Sequence, residues 1–144
     1  MLSELTVDSG QLTIRPEFSY FLKFLETKPV VVPVPLHPDR EKWRGFNQAT
    51  VIAQSLAAHH SLAFNSHLLM RVKDTGHQTG RNREERLKAV ESAFKLRTEN
   101  CELRTPAAVL LVDDVWTTGA TLSECCQVLK QKGIKNVWGL VLAR

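Results

Sequence analysis

The chain reads as a doubly wound α/β fold, with a mainly parallel sheet and flanking helices, on three observations. Ala107 to Val112 is a continuous apolar run rather than an alternating one, as in a strand buried on both faces of a parallel sheet. Val30 to Pro35 is a second short apolar run of the same kind. Helical spacing of apolar residues recurs between and after these runs. Strands that alternate with helices imply parallel pairing through right-handed crossovers.

Taken in order, Leu2 to Thr6 and Gln11 to Ile14 flank Asp8-Ser9-Gly10, the pattern of a hairpin or an irregular arm. Phe18 to Leu25 reads as a short helix that ends before Pro29. Val30 to Pro35 is the first buried strand. Its prolines lack N–H donors, so regular pairing should finish by Pro33. Asn47 to His60 carries Val51, Ile52, Leu56 and Ala57 at helical spacing, which predicts a crossover helix. Ala63 to Leu69 reads as a strand. Arg71 to Arg83 contains Asp-Thr-Gly and Gln-Thr-Gly without apolar periodicity, and a connection of this length is expected to act as a functional loop. Val90 to Leu96 then returns as a strand, Thr98 to Pro106 is a polar link, and Asn136 to Ala143 supplies the last strand. The expected organisation is a single domain over 1–144, with 1–28 as an N-terminal arm.

The most informative segment is Val109 to Leu122, Val-Leu-Leu-Val-Asp-Asp-Val-Trp-Thr-Thr-Gly-Ala-Thr-Leu. Leu122, Cys125, Cys126 and Leu129 fall at i, i+3, i+4 and i+7, so a helix with one apolar face begins here, and Gly133 stops it. A helix start offers unpaired N–H groups and the positive end of the dipole, and Gly119 allows close approach of an anion. The hydroxyls of Thr117, Thr118 and Thr121 add donors. Asp113 and Asp114 would repel a phosphate, so they must serve a neighbouring group such as a ribose diol. Asp-x-Asp-x-Thr is absent, which argues against a haloacid-dehalogenase-type phosphatase. A Gly-Lys-Ser/Thr ending is absent as well, which argues against a Walker A loop.

This segment resembles the phosphoribosyl pyrophosphate motif of type I phosphoribosyltransferases. The resemblance implies that the backbone of Thr117 to Thr121, with Val115, Gly119 and Ala120 in the same turn, holds a 5′-phosphate. Asp113 and Asp114 are then the candidate catalytic residues, addressing the ribose hydroxyls. A wider resemblance is carried by Val32-Pro33-Val34-Pro35-Leu36-His37-Pro38, Arg44-Gly45-Phe46-Asn47-Gln48-Ala49, Gln78 through Arg86, and Ala93-Phe94. Together these look like the ComF competence-protein family, whose members carry a type I phosphoribosyltransferase domain, over roughly residues 29–144. By the same resemblance, Leu36-His37-Pro38-Asp39-Arg40 stands in the place of the pyrophosphate loop, and Arg71 to Arg83 stands where such enzymes have a loop that closes over the reacting centre. His37 is a donor to pyrophosphate or a structural residue. Arg44, Arg71 and Lys73 are pyrophosphate contacts or solvated surface charges. Full members begin with a cysteine-rich, zinc-binding segment. This chain has Cys101, Cys125 and Cys126 only, with no Cys-x-x-Cys, so no structural zinc site is expected.

At 144 residues the chain can bury one core without disulfides. No apolar stretch approaches the length of a bilayer span and no secretion signal opens the chain, so a cytoplasmic protein without membrane insertion is expected. The net charge is +4, with a pI near 9.2, which permits an anionic ligand without identifying it. Basic residues cluster at Arg40, Lys42 and Arg44 and around the 71–88 connection, but Asp74, Glu41, Glu84 and Glu85 interleave with them. Few aromatics accompany this charge, so direct DNA binding through a stacking platform is not expected. The resemblance implies phosphoribosyl pyrophosphate, or a ribose 5-phosphate nucleotide, as ligand, with Mg2+ carried on it. Pyrophosphate would be displaced at the anomeric carbon by a nitrogen acceptor. The alternative is a non-catalytic binding module that serves DNA uptake through a competence-machinery partner.

Overall fold

The computed structural model describes residues 6–8, 11–13, 16–74, 92–97 and 105–143. Along the chain lie β1 (Thr6–Asp8), β2 (Gln11–Thr13), α1 (Pro16–Glu26), β3 (Val30–Pro33), α2 (Pro38–Arg44), α3 (Gln48–His59), β4 (Leu69–Arg71), β5 (Phe94–Leu96), β6 (Ala108–Val115), α4 (Ala120–Gln131) and β7 (Asn136–Ala143). Of the expected functional connection, 75–83 lies outside the described residues, as do 90–91 of the expected strand and 98–104 of the expected link.

The centre is a three-stranded parallel sheet in the order β3-β6-β7. Side chains on a strand alternate between its faces, and both faces of this sheet are apolar. Val31, Ala108, Leu110 and Val112 face one cluster, built with Phe24 of α1 and Ala53 and Ala57 of α3. Val32, Val109, Leu111 and Val141 face the other, built with Leu122, Cys125 and Leu129 of α4. The continuous apolar run of β6 is thereby explained, since helices cover it from both sides. Each fully buried Val or Leu there contributes roughly 1.5–3 kcal/mol.

β3 ends at Pro33, as its prolines predict, and β7 spans Asn136–Ala143 as expected. α4 buries Leu122, Cys125 and Leu129, and it ends where Gly133 takes a left-handed φ of 89°. The Gly133 and Ile134 N–H groups then close the last turn on the Lys130 and Leu129 carbonyls.

Three expectations are corrected. In α3 the buried stripe is Ala49, Ala53 and Ala57, and Val51 is 53% exposed. Two residues turn a helix by about 200°, so Val51 stands opposite the alanines, whose small side chains let α3 approach the sheet closely. The strand expected over Ala63–Leu69 is reduced to a single parallel bridge, in which Val31 N–H donates to the Ala63 carbonyl (2.8 Å) and Asn65 N–H to the Val31 carbonyl (3.0 Å). Leu69–Arg71 instead pairs antiparallel with Phe94–Leu96, outside the parallel sheet. This short ladder buries Leu69 and Phe94 against the α4 side of the core.

On the opposite face, Phe24 of α1 stacks on Trp138 of β7, with ring centroids 5.3 Å apart, and Phe21 lies 5.7 Å from the same indole. Such offset contacts add about 0.5–1.5 kcal/mol beyond area burial.

Candidate functional site

The chain runs from β3 outward to the Phe64 bridge, then returns to the other side of β3 as β6 and continues to β7. The direction of winding therefore reverses between β3 and β6. Open α/β sheets take ligands outside the carboxyl ends of their strands at such a reversal. Two segments meet at this point. Val34 N–H donates to the Val112 carbonyl (2.8 Å), so the segment leading to Leu36 and His37 leaves β3 alongside the start of Asp113-Asp114.

β6 does not stop at the acids. Asp113 pairs with Val141 and Val115 with Ala143, and Trp116 N–H still donates to the Ala143 carbonyl (2.8 Å). Because β7 supplies partners to its end, Asp113 and Asp114 lie within the strand and alternate across the sheet. Asp113 takes the α4 face, with Val109 and Leu111, while Asp114 takes the α1/α3 face. Asp113 Oδ1 also accepts from the Asp114 N–H (2.9 Å).

Burial pushes the Asp113 carboxyl up to about 6. The Asp114 charge reinforces this, and the Asp114 N–H and the Arg71 charge oppose it. Arg71 stands over the Phe94 ring at 5.3 Å, and its Nε donates to the Lys73 carbonyl (3.3 Å). Burial lowers its pKa first and the Arg40 charge second, against Asp74, Cys125 and Asp113. The β4–β5 ladder thus carries Arg71 into the electrostatic range of an acid 42 positions away in sequence. Beside them Cys125 is fully buried, and burial pushes its thiol up.

The turn after β6 leads directly into α4. Thr117 is exposed, while Thr118, Gly119 and Thr121 are half-buried. Gly119 occupies the N-cap with φ 77°. Thr118 Oγ1 accepts from the Ala120 N–H at 3.3 Å, and the N-cap itself brings no side-chain cap. The other helix starts with described caps differ. His37 caps α2 through Nδ1, which accepts from the Asp39 N–H at 3.4 Å, and Asn47 caps α3. Among the described residues, α4 is therefore the helix start that offers its N-terminal dipole behind a glycine.

The remaining candidates are distributed differently. His37 sits between β3 and α2 as a capping residue, and Leu36 is half-buried beside it. Arg44 ends α2 and donates to Gln48 Oε1 (3.3 Å) across the Gly45–Asn47 turn, and Lys73 is exposed. The structure brings Asp113, Arg71 and the 117–121 turn to one end of β6, whereas Arg44 reaches toward α3.

Sequence reasoning assigned no individual contact to three residues here. Asn47 is buried, donates from Nδ2 to the Val34 carbonyl (2.9 Å), and accepts the Ala49 N–H on Oδ1 (3.0 Å). It ties the exit of β3 to the start of α3. An Asn just before an apolar-periodic helix is the cap signal that would have revealed it. Trp116 lies against Gly119, which no local pattern announces. Arg40 pairs with Asp74 at 2.9 Å across 34 positions.

These features define a class: an α/β protein with helices on both faces of a parallel sheet and a strand-turn-helix at its topological switch point. Similarity to known proteins narrows it. The chain is 36% identical over 121 residues to Competence protein F of Haemophilus influenzae, covering 83% of this chain and 52% of that protein. It is 31% identical over 140 residues to Competence protein ComFC of Streptococcus pneumoniae (94% and 58%). It is also 34% identical over 114 residues to DNA utilization protein YhgH of Salmonella typhi (79% and 48%). These likenesses support the ComF family for this chain, which spans about half the length of the curated relatives it matches. No family model matches the chain, and no solved structure matches it at a significant level. Among the described residues, no helix is long and apolar enough to cross a membrane.

Proposed function

We propose that this chain binds phosphoribosyl pyrophosphate at the carboxyl ends of β3 and β6, as the phosphoribosyltransferase-like part of a competence-type protein. One observation carries this reading. The acid pair Asp113-Asp114 runs through a tight Thr-Thr-Gly turn into a helix start whose N-cap is a glycine. A phosphate fits the α4 amides and the Thr117, Thr118 and Thr121 hydroxyls, while ribose hydroxyls fit carboxylate acceptors one turn away. The chemistry that suits such a ligand is attack by a nitrogen nucleophile at the anomeric carbon, with pyrophosphate leaving. Carboxylates near the ribose favour the oxocarbenium-like transition state, and positive groups near the diphosphate favour its departure. Mg2+ carried by the ligand would neutralise the diphosphate, and one or two carboxylates with phosphate oxygens suit that ion.

A second reading is favoured by the relatives' names, which concern competence and DNA utilization. In it, the same site binds the ligand without turnover and the domain serves DNA uptake through a protein partner.

Calorimetric titration of phosphoribosyl pyrophosphate, with and without Mg2+, tests the shared premise, and no heat of binding in either condition refutes it. Pyrophosphate release across a panel of nitrogen bases separates the two readings. Tight binding without release against every base leaves the non-catalytic module.

A further inference from the structure

The connection between β6 and α4 carries two apolar side chains in the open. Val115 is 45% exposed and Trp116 37%, with Asp113-Asp114 directly before them and Thr117-Thr118 directly after. Exposed apolar surface rimmed by polar groups at the end of a buried strand has the character of a ligand groove rather than of a solvated bend.

Trp116 is held from two sides. Its N–H donates to the Ala143 carbonyl at 2.8 Å, which fixes its backbone to β7. Its indole rests on Gly119, where a β-carbon would stand 2.5 Å from Cζ2, 2.6 Å from Cη2 and 3.2 Å from Cε2. A point in the ring plane beyond the Cζ2–Cη2 edge would lie farther from Cε2 than that, so Gly119 backs onto a face of the indole and not its rim. One face is closed by backbone, which leaves the opposite face to carry the exposure. The rings of Phe94 and Trp138 are already covered, the first by Arg71 and the second by Phe21 and Phe24. Among the described residues, no ring or cation covers Trp116.

The place of this open face limits what can lie on it. The acid pair comes just before the indole and the α4 helix start just after it, so a molecule that engages both and also reaches the ring carries a phosphate, a sugar and a flat group. Flat nitrogen heterocycles stack on an indole in an offset manner, and a ring already fixed in place loses little freedom when they do.

We propose that Trp116 is a specificity-determining residue of this site: its open indole face stacks with the heterocycle of a ribose 5-phosphate nucleotide, so that the chain tells nucleotides from sugar phosphates that lack a base. This rests on the reading given under Proposed function and deepens it, because it names the side chain that receives the flat ring.

The test is calorimetry of adenosine 5′-monophosphate and of ribose 5-phosphate on the wild-type chain, Trp116→Ala, Trp116→Leu and Trp116→Phe, each checked by circular dichroism and thermal unfolding. The readout is the ratio of the two affinities, since a merely loosened turn weakens both probes alike and leaves the ratio where it was. The wild type is expected to bind the nucleotide more tightly than the sugar phosphate, and Trp116→Ala to lower the ratio by about five- to hundred-fold, the range of one base–aromatic stack. Trp116→Leu, which keeps an apolar side chain on Gly119 without a flat face, should behave as Trp116→Ala does. Trp116→Phe should retain most of the preference. A ratio unchanged in Trp116→Ala and Trp116→Leu, a Trp116→Phe no better than they are, or a wild type that binds both probes equally overturns this inference and leaves the parent reading standing. Failure of the wild-type chain to bind either probe or phosphoribosyl pyrophosphate overturns both.

Discussion

The indole of Trp116 lies against the α-carbon of Gly119, so that a β-carbon at position 119 would fall 2.5 Å from Cζ2 and 2.6 Å from Cη2 of the ring. Glycine is required there twice over, by this contact and by the left-handed φ of 77°. Gly119→Ala should displace the indole, distort the turn, and cost about 1–3 kcal/mol of stability. Phosphate-ligand affinity should fall with it. Adding Trp116→Ala removes the clash but not the backbone cost, so the double variant should recover only part of the stability. Chemical denaturation of the two variants checks this, and an undiminished Gly119→Ala would show that the turn adapts freely.

Asp113 gives the site a pH signature. Its carboxyl is raised from 3.8 to about 6 by burial, so between those values the folded chain retains a proton that the unfolded chain has lost. Stability should therefore fall as pH rises through that window, by on the order of 3 kcal/mol at about 1.36 kcal/mol per pKa unit. Asp113→Asn should abolish this slope, stabilising the fold near neutral pH and leaving it unchanged in acid. Affinity for the ribosyl ligand should run the other way, rising with pH as the acceptor ionises. Urea unfolding and ligand titration at matched pH values would show the two opposed trends.

Asn47 is expected to matter for position rather than charge. Asn47→Ala leaves the Val34 carbonyl and the Ala49 N–H without their buried partner, at a cost of about 1–3 kcal/mol. Hydrogen exchange should report loosening confined to residues 34–37 and the first turn of α3. Global protection loss instead would mean that Asn47 supports the whole core.

The two acids and the turn can be tested apart. Asp113→Asn with Asp114→Asn should abolish binding of a ribosyl ligand while the far-ultraviolet spectrum stays that of the wild type. Thr118→Trp should exclude phosphate by bulk alone. Wild-type affinity in either variant would remove that segment from the site.

Much of the architecture was legible because its signals are local. The β6 run, the proline stop of β3, the α4 periodicity and the Gly133 terminator are each written within a few residues, and each element forms where those residues lie. α2 gave no such signal. It buries no residue, so it has no apolar period to read, and it is held at its ends by His37 and Gly45. The β4–β5 ladder was misread as parallel strands because three-residue segments carry no record of their partner. The helix over 48–59 was legible but its buried face was not, because Ala49, Ala53 and Ala57 are a weak hydrophobic signal although they form the face that approaches the sheet.

By itself the sequence determined the α/β class, the central buried strand and the acid-turn-helix segment, since burial pattern and turn chemistry are properties of neighbours along the chain. Only the tertiary structure decided that the acids alternate across a continuing strand, that Trp116 rests on Gly119, and that Arg40, Arg71, Asp74 and Asp113 share one field. Those relations depend on register and on distances between segments up to 73 positions apart, from Arg40 to Asp113, and no local preference encodes them.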